Sequence, residues 1–405
     1  MTLFLEAIFW LSAVCVFYTY VGYPLLMAVM VRIWPARTTP SDRTPDLPVS
    51  VVLAAHNEES RIGARIRELV QLVAARREGG ELIVVSDGST DRTVAEAQAA
   101  ASEAASVASR KVPVQVLVQE PRLGKAMALN QAYAVARHSL LIFADARQTW
   151  ADDAIDRLVA NFADPSIGAV SGELVIGSTP GMMSGVALYW EFEKCLRRTE
   201  SRFYSMGSVT GSICAVRRCL FRPMPRGTIL DDAYWPLVVV MEGHRVVHEE
   251  KALAYDRLPE RVRDEFRRKV RTLAGNFQLL ARLPAVLLPW RNPVCWQFVS
   301  HKVCRLLVPW ALLGMLISAA LLGGPFYWAA FGLQVVFYLF ALVGTSKSVA
   351  NQFPPAAAAA SFVVLNTAAW LAFWVWILGQ EFRSWNKVDY DPSRDPELPE
   401  ARPSH

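Results

Sequence analysis

The sequence predicts an α/β domain built on a parallel sheet and framed by transmembrane helices, one before it and three after it. Short β-branched runs alternate with helical patterns through the middle of the 405-residue chain, and such alternation gives parallel sheets covered by helices. Hydrophobic residues make up 53% of the chain and charged residues only 20%, against about 25% charged in ordinary soluble domains. The apolar excess gives a positive mean hydropathy and is gathered at the two ends. This balance excludes intrinsic disorder, which needs few apolar residues and high charge, and it argues against a purely soluble enzyme. A net charge of +5 is small for the length and argues against a dedicated nucleic-acid binder.

The first apolar run, from Ala7 to Val31, carries no charge and is bounded by Glu6 and Arg32. It satisfies the ~20 apolar residues of a membrane helix. With only Glu6 before it, it lacks the basic n-region of a signal peptide and reads as an uncleaved anchor. Leu306 to Ser346 is likewise uncharged and broken by Gly323-Gly324-Pro325, which predicts two spans joined by a tight turn. A further span runs from about Ala356 to Gly379. The 13 Trp and 19 Phe suit membrane-interface belts. Leu283–Phe298 holds Pro284, Pro289, Arg291 and Pro293, so it reads as an interfacial helix. The expected division is therefore a transmembrane helix (1–33), a polar α/β domain (45–283), an interfacial helix (284–303), three transmembrane helices (304–380) and a polar tail (381–405).

Arg32, Arg37 and Arg43 follow the first span, and Arg291, Lys302 and Arg305 precede the second. Basic residues mark the inside, so the middle domain is expected in the cytoplasm of an inner (plasma) membrane protein, with Lys347 in the next inside loop. Arg383, Lys387, Arg394 and Arg402 in the tail fit that orientation poorly, and the side of the tail stays open.

Strands are expected at 48–55, 82–86, 114–118, 140–144 and 167–174, with helices at 58–77, 93–109, 124–137 and 152–162. In parallel sheets, ligands bind beyond the carboxyl ends of the strands. There the first strand delivers His56-Asn57-Glu58-Glu59, the second Asp87-Gly88-Ser89-Thr90-Asp91, and the fourth Asp145-Ala146-Arg147. Leu123-Gly124-Lys125 lies between the third strand and its helix. Acids, a Gly-Lys and an arginine on one edge suit a nucleotide with its phosphates and a divalent cation. Each element also has a plain structural reading. Asn57 with Glu58 and Glu59 suits a helix N-cap, Asp87–Asp91 is turn chemistry, and Lys125 alone is a solvated lysine.

Other chemistries are missing. No GxGxxG follows a strand, no GxxxxGK[ST] occurs, and His248-Glu249-Glu250 lacks the second histidine of a zincin. The six cysteines (15, 195, 214, 219, 295, 304) form no CxxC pair or zinc spacing, and are expected to make neither disulfide nor metal site.

The order Ala-Ala-His-Asn-Glu-Glu, Ser-Asp-Gly-Ser-Thr-Asp, Gly-Lys, Asp-Ala-Arg, Leu-Asp-Asp and Arg-Lys-Val-Arg, spread over about 49–280, resembles the family 2 glycosyltransferases. These are inverting GT-A enzymes that include cellulose, chitin, hyaluronan and poly-N-acetylglucosamine synthases. The flanking helices also resemble the membrane-embedded members. The resemblance implies that Asn57 and Glu58 border the base and ribose of a UDP-sugar, that Asp87 hydrogen-bonds the uracil, and that Lys125 touches the diphosphate. It further implies that Asp145, as first acid of the DxD motif, holds Mg²⁺ or Mn²⁺, and that Asp232, preceded by Asp231, is the catalytic base. Arg268 and Arg271 match the Q/RxxRW motif near the leaving diphosphate, and Thr210-Gly211-Ser212 the segment that meets the acceptor sugar.

These residue types suit a single displacement. One carboxylate takes the hydroxyl proton, while a cation and basic side chains neutralise the departing diphosphate. Arginines at i and i+3 share a helix face, so Arg268 and Arg271 are placed to clamp one diphosphate. The plain reading of 261–271 is a basic interfacial helix on anionic lipid, and that of Asp231-Asp232 a helix N-cap. Three departures stand out. Arg147 replaces the second DxD acid, Asp231 replaces a usual Glu, and Thr272 replaces the motif Trp. Arg147 has phosphate itself as an alternative partner, and Trp190 or Trp235 is a substitute aromatic. The expected function is sugar transfer to a saccharide acceptor in polysaccharide or oligosaccharide synthesis. The alternatives are single transfer to a polyprenyl phosphate or other lipid-linked acceptor and, remotely, a transporter or scaffold with a nucleotide-sensing domain.

Overall fold

A computed structural model describes residues 1–36, 45–107, 111–176, 184–256 and 262–379. The polar middle forms one eight-stranded sheet in the order β3-β2-β1-β4-β7-β6-β8-β5. Its strands are β1 (Val49–Ala55), β2 (Gly80–Asp87), β3 (Val114–Gln119), β4 (Leu140–Asp145), β5 (Thr149–Trp150), β6 (Ile167–Ile176), β7 (Ile213–Arg217) and β8 (Arg245–Asp256). The five strands expected from β-branched runs all form. The sheet, however, is mixed rather than parallel. β1–β4 make a parallel half, but β7 pairs antiparallel with both β4 and β6. β6 and β8 run parallel, and β5 closes antiparallel on β8.

Strand side chains alternate between faces, and the core divides accordingly. Val51, Leu53, Val84 and Ile142 face one buried cluster, where α2 (Ile62–Ala75), α3 (Thr93–Val107) and α5 (Ala154–Ala160) cover the sheet. Val52, Val85, Leu141 and Phe143 face the other, against α4 (Lys125–Val135) and α7 (Asp231–Met241). Both faces of β1, β2 and β4 are therefore apolar, which is why these strands read as continuous hydrophobic runs.

Two long helices tie this domain to the membrane frame: α6 (Ser184–Phe203) and α8 (Val262–Arg282). Among the described residues four helices are long and apolar enough to cross a membrane: α1 (Thr2–Ile33), α9 (Cys295–Leu322), α10 (Pro325–Val343) and α12 (Pro354–Ile377), with the short α11 (Lys347–Gln352) before the last. α9 starts inside the stretch expected to be interfacial, so only 284–294 remains as turns and a short 3₁₀ segment. α1 packs along α9, and α12 packs on α8. The α8–α12 seam buries Val270 and Ala274 against Ala368 and Ala372, with Phe277 and Trp376 stacked at 5.6 Å. Leu3, Phe4, Leu11, Leu333 and Leu339 stay exposed, as lipid-facing positions do. Arg37, Arg43, Arg261 and the tail with Arg383, Lys387, Arg394 and Arg402 lie outside the described residues.

Candidate active site

The carboxyl ends of β1, β2 and β4 meet the start of α7, and the predicted residues gather there. Asn57 has φ +53°, a left-handed conformation that asparagine tolerates. Its Oδ1 accepts from the Thr90 amide at 2.8 Å, and its own amide donates to the Ser89 hydroxyl at 3.1 Å. The Glu58 amide donates to the Thr93 hydroxyl at 2.7 Å. The first two strand ends are thus stitched into one wall.

Asp87 is buried, and its carboxylate gathers the loop between β3 and α4. It accepts from the Gln119 amide side chain at 2.6 Å, the Leu123 amide at 2.7 Å and the Gly124 amide at 2.9 Å. Gly88 next to it has φ +58°, and an added Cβ would stand 2.6 Å from the Arg122 side chain. Only glycine lets β2 and this loop approach so closely. The result is a fixed placement for Lys125, the first residue of α4.

Lys125 is the centre of the site. Its Nζ donates to Asp145 Oδ1 at 2.6 Å and to the Gly211 carbonyl at 3.2 Å, and lies 3.7 Å from Asp231 Oδ2. Burial pulls its pKa down, but Asp145 and Asp231 more than offset this and hold the ammonium above its ordinary range. Asp231 and Asp232 open α7, where a helix N-terminus favours negative charge. Burial first, then the neighbouring Asp231, pushes Asp232 from its ordinary 3.8 up to about 6, against the pull of Lys125, Arg197 and Lys302. A base of that strength suits proton abstraction near neutral pH.

The Thr210–Ser212 segment closes over this acid pair. The Val209 amide donates to the Asp232 carbonyl at 2.8 Å, and a Cβ on Gly211 would stand 3.2 Å from Asp232 Cβ. The Ser212 hydroxyl is buried and has no hydrogen-bond partner among the described residues.

The basic residues divide. Burial lowers the Arg271 pKa, while Asp231 and Asp232 oppose that fall, which places its guanidinium in the field of the acid pair. Arg268 turns onto Glu265 of its own helix at 2.8 Å. Arg147 pairs with Asp256 at the end of β8, with contacts of 2.9 and 2.7 Å, and Gln148 adds a third bond to the same carboxylate at 2.7 Å. Thr272 is exposed and bonds the Arg268 carbonyl at 3.0 Å. Of the two substitute aromatics, Trp235 is buried in the core against Phe143, whereas the Trp190 ring meets the Lys269 ammonium at 5.0 Å.

Sequence reading missed Arg197 and Lys302, whose charges act on Asp232, and Glu193 and His301, which join them in one cluster between α6 and α9. The charged stretch of α6 is a sequence signal, but its partners lie more than a hundred residues away. His248, considered for a metal motif, instead bonds Glu173 at 2.7 Å, and Lys194 sits 3.0 Å from the same carboxylate. All six cysteines are free thiols.

Fold and site together define the class: a GT-A-like α/β domain with a cluster of acids and a lysine at its strand ends, carried on helices able to cross a membrane. Residues 50–223 match the family described as Glycosyl transferase family 2. It is 25% identical over 248 residues to the poly-β-1,6-N-acetyl-D-glucosamine synthase of Staphylococcus aureus (strain COL), covering 58% of this chain and 56% of that protein. The corresponding synthase of Staphylococcus epidermidis is 22% identical over the same length. The chain thus spans a little over half the length of these curated relatives. A mannosyltransferase from Pyrobaculum calidifontis, solved with GDP-Man and Mn²⁺, superposes with a TM-score of 0.68 at 21% identity, over 93% of this chain and 99% of that one.

Proposed function

We propose that this chain transfers a sugar from a UDP-sugar to a saccharide acceptor in polysaccharide or oligosaccharide synthesis, with inversion at the anomeric carbon. The observation that carries the reading is the Asp231-Asp232 pair at the start of α7, with Lys125 bridging toward Asp145 and Gly211 pressed on Asp232. The S. aureus and S. epidermidis relatives, both synthases of a polysaccharide, support the acceptor class.

In this reading Asn57, Glu58 and Asp87 border the base and ribose, Lys125 and Arg271 face the diphosphate, and Arg268 joins them there on leaving Glu265. Asp232 takes the proton of the acceptor hydroxyl as its oxygen bonds the anomeric carbon. The bond from that carbon to the diphosphate breaks, and UDP leaves. A positioned base contributes on the order of 10²–10⁴ in rate. Ser212 and Gly211 border the acceptor.

Asp145 fits a divalent cation such as Mg²⁺ or Mn²⁺. Its carboxylate is about one-third exposed (32%), and such a cation on a nucleotide needs only one or two carboxylates, the phosphates supplying other ligands. Among the described residues no group of three or more His, Cys, Asp or Glu could hold a metal alone. Arg147, paired with Asp256, stands at this diphosphate end as a brace and adds no carboxylate. When bound, the cation supplies charge to the departing diphosphate. The basic residues beside the first two spans support a cytoplasmic active site at the inner membrane.

Thr272 favours a second reading. With its hydroxyl turned back on its own helix, it offers no stacking face to a growing chain, which suits one transfer to a polyprenyl phosphate or other lipid-linked acceptor. Purified full-length protein with Mg²⁺ or Mn²⁺ and a panel of UDP-sugars tests the donor by UDP release, and product length separates the two acceptors. Release of GDP from GDP-mannose but no UDP from any UDP-sugar would overturn the donor assignment.

A further inference from the structure

Behind the acceptor segment, on the membrane side, lies a buried ionic cluster that the transfer chemistry does not use. Its centre is the Glu193 carboxylate on α6, only 8% exposed. Arg305 reaches it at 2.7 Å, the His301 imidazole at 3.1 Å and Lys302 at 3.2 Å, all from α9. Burial alone would raise its pKa, but Lys302, His301 and Arg305 hold it well below the usual carboxylate range. The same imidazole bonds Glu200 at 2.9 Å, and Glu200 accepts from the Tyr23 hydroxyl of α1 at 2.6 Å. One carboxylate and its neighbours therefore bind α6 to two candidate membrane spans.

A further cation leads the other way. Arg197, one turn along α6, has its Nε 3.5 Å from Glu193 and donates through a terminal nitrogen to the Thr210 hydroxyl at 3.3 Å. The Thr210 amide is pinned to the Ser171 hydroxyl of β6 at 2.9 Å, and the next residue, Gly211, meets Lys125 and Asp232. The line Glu193–Arg197–Thr210 thus ends at the catalytic acids. Buried charge clusters cost desolvation and are weak sources of net stability, so holding α6 in place does not by itself account for an arginine aimed at a threonine of the acceptor segment.

We infer that Arg197, braced by Glu193 against the start of α9, is a positioning residue that sets Thr210–Ser212 for the acceptor and couples that placement to the membrane helices. This rests on the proposed transfer reaction for its kinetic readout only. Its test uses the full chain with the donor and acceptor found by the UDP-release screen. In Arg197→Gln, Glu193 keeps its three α9 partners, so the fold is retained. The acceptor KM is expected to rise tenfold or more while the donor KM stays within twofold. The acid limb of the pH profile should also move to higher pH, because one of the charges that pull Asp232 down is gone. Thr210→Val should raise the acceptor KM without moving the pH limb, and the double variant should be no worse in acceptor KM than Arg197→Gln. A purely structural role would raise both KM values and lower the melting temperature; that result, or additive effects on acceptor KM, overturns the inference. Hydrogen exchange reads the same placement with no substrate. The amides of Thr210–Ser212 should exchange at least fivefold faster in Arg197→Gln, with β1 and β4 unchanged. Unaltered exchange there overturns the inference even if the wild-type protein releases no UDP, an outcome that would separately defeat the proposed reaction.

Discussion

Replacing Asp231 with asparagine should make the site work at lower pH. Asp232 stands at about 6 instead of 3.8, a rise of roughly two pKa units. Burial is the larger cause and the Asp231 charge the second, so losing that charge should bring the midpoint down toward pH 5, each tenfold being worth about 1.4 kcal/mol. In the wild type, about 90% of the base is ionised at pH 7 and only about 10% at pH 5. With its midpoint near pH 5, Asp231→Asn should keep about half of its own plateau at pH 5. The assay is kcat/KM for UDP release between pH 4.5 and 8.5, each profile scaled to its own maximum, since that ratio reports the free enzyme. Asp231 also faces Lys125, so the plateau itself is expected to fall. A wild-type acid limb near pH 4, or one that Asp231→Asn leaves unmoved, would refute this account of Asp232.

Three further outcomes follow from the same geometry. Lys125→Met removes the cation shared by the acids, so the limb should move to higher pH while kcat/KM falls about 10²-fold or more, as the same profiles would report. Asp232→Asn should cut turnover at least a hundredfold yet raise the melting temperature. A carboxyl whose folded pKa is raised contributes stability below its unfolded value and loses it as pH climbs through about 6, so at pH 7 its removal gains on the order of 1–3 kcal/mol; a thermal shift at pH 7 and again at pH 5, where the gain should shrink, checks the sign. Arg147→Ala strands Asp256, which is buried, with Gln148 as a remaining partner; the cost should be about 1–3 kcal/mol, discounted for the partly exposed arginine, and Arg147→Ala with Asp256→Asn should cost less than their sum in denaturant melts.

How much of this was legible in the sequence depends on how far apart the partners lie. β1, β2 and β4 are buried on both faces, so their runs announce themselves. β7 is five residues interrupted by a cysteine and an alanine, and it turns the sheet mixed by inserting antiparallel between β4 and β6. Nothing local in Ile213–Arg217 states that pairing. The acids, Lys125 and Gly211 were found because each closes a short motif at a strand or helix end. The local sequence says nothing of what those groups touch. Asp87 draws in a loop 36 residues on, Arg147 finds Asp256 109 residues on, and Glu193 meets Arg305 112 residues on. The start of α9 at Cys295 was hidden by Pro284, Pro289 and Pro293, which end just before the helix begins and do not interrupt it.

Asp232 as the base of a sugar transfer from a UDP-sugar is the proposal on which the rest depends. It is tested most directly by UDP release from full-length protein supplied with UDP-sugars, a divalent cation and acceptor, wild type beside Asp232→Asn. The wild type should release UDP and the variant at least a hundredfold less, with UDP binding retained. Equal turnover by both proteins would contradict it.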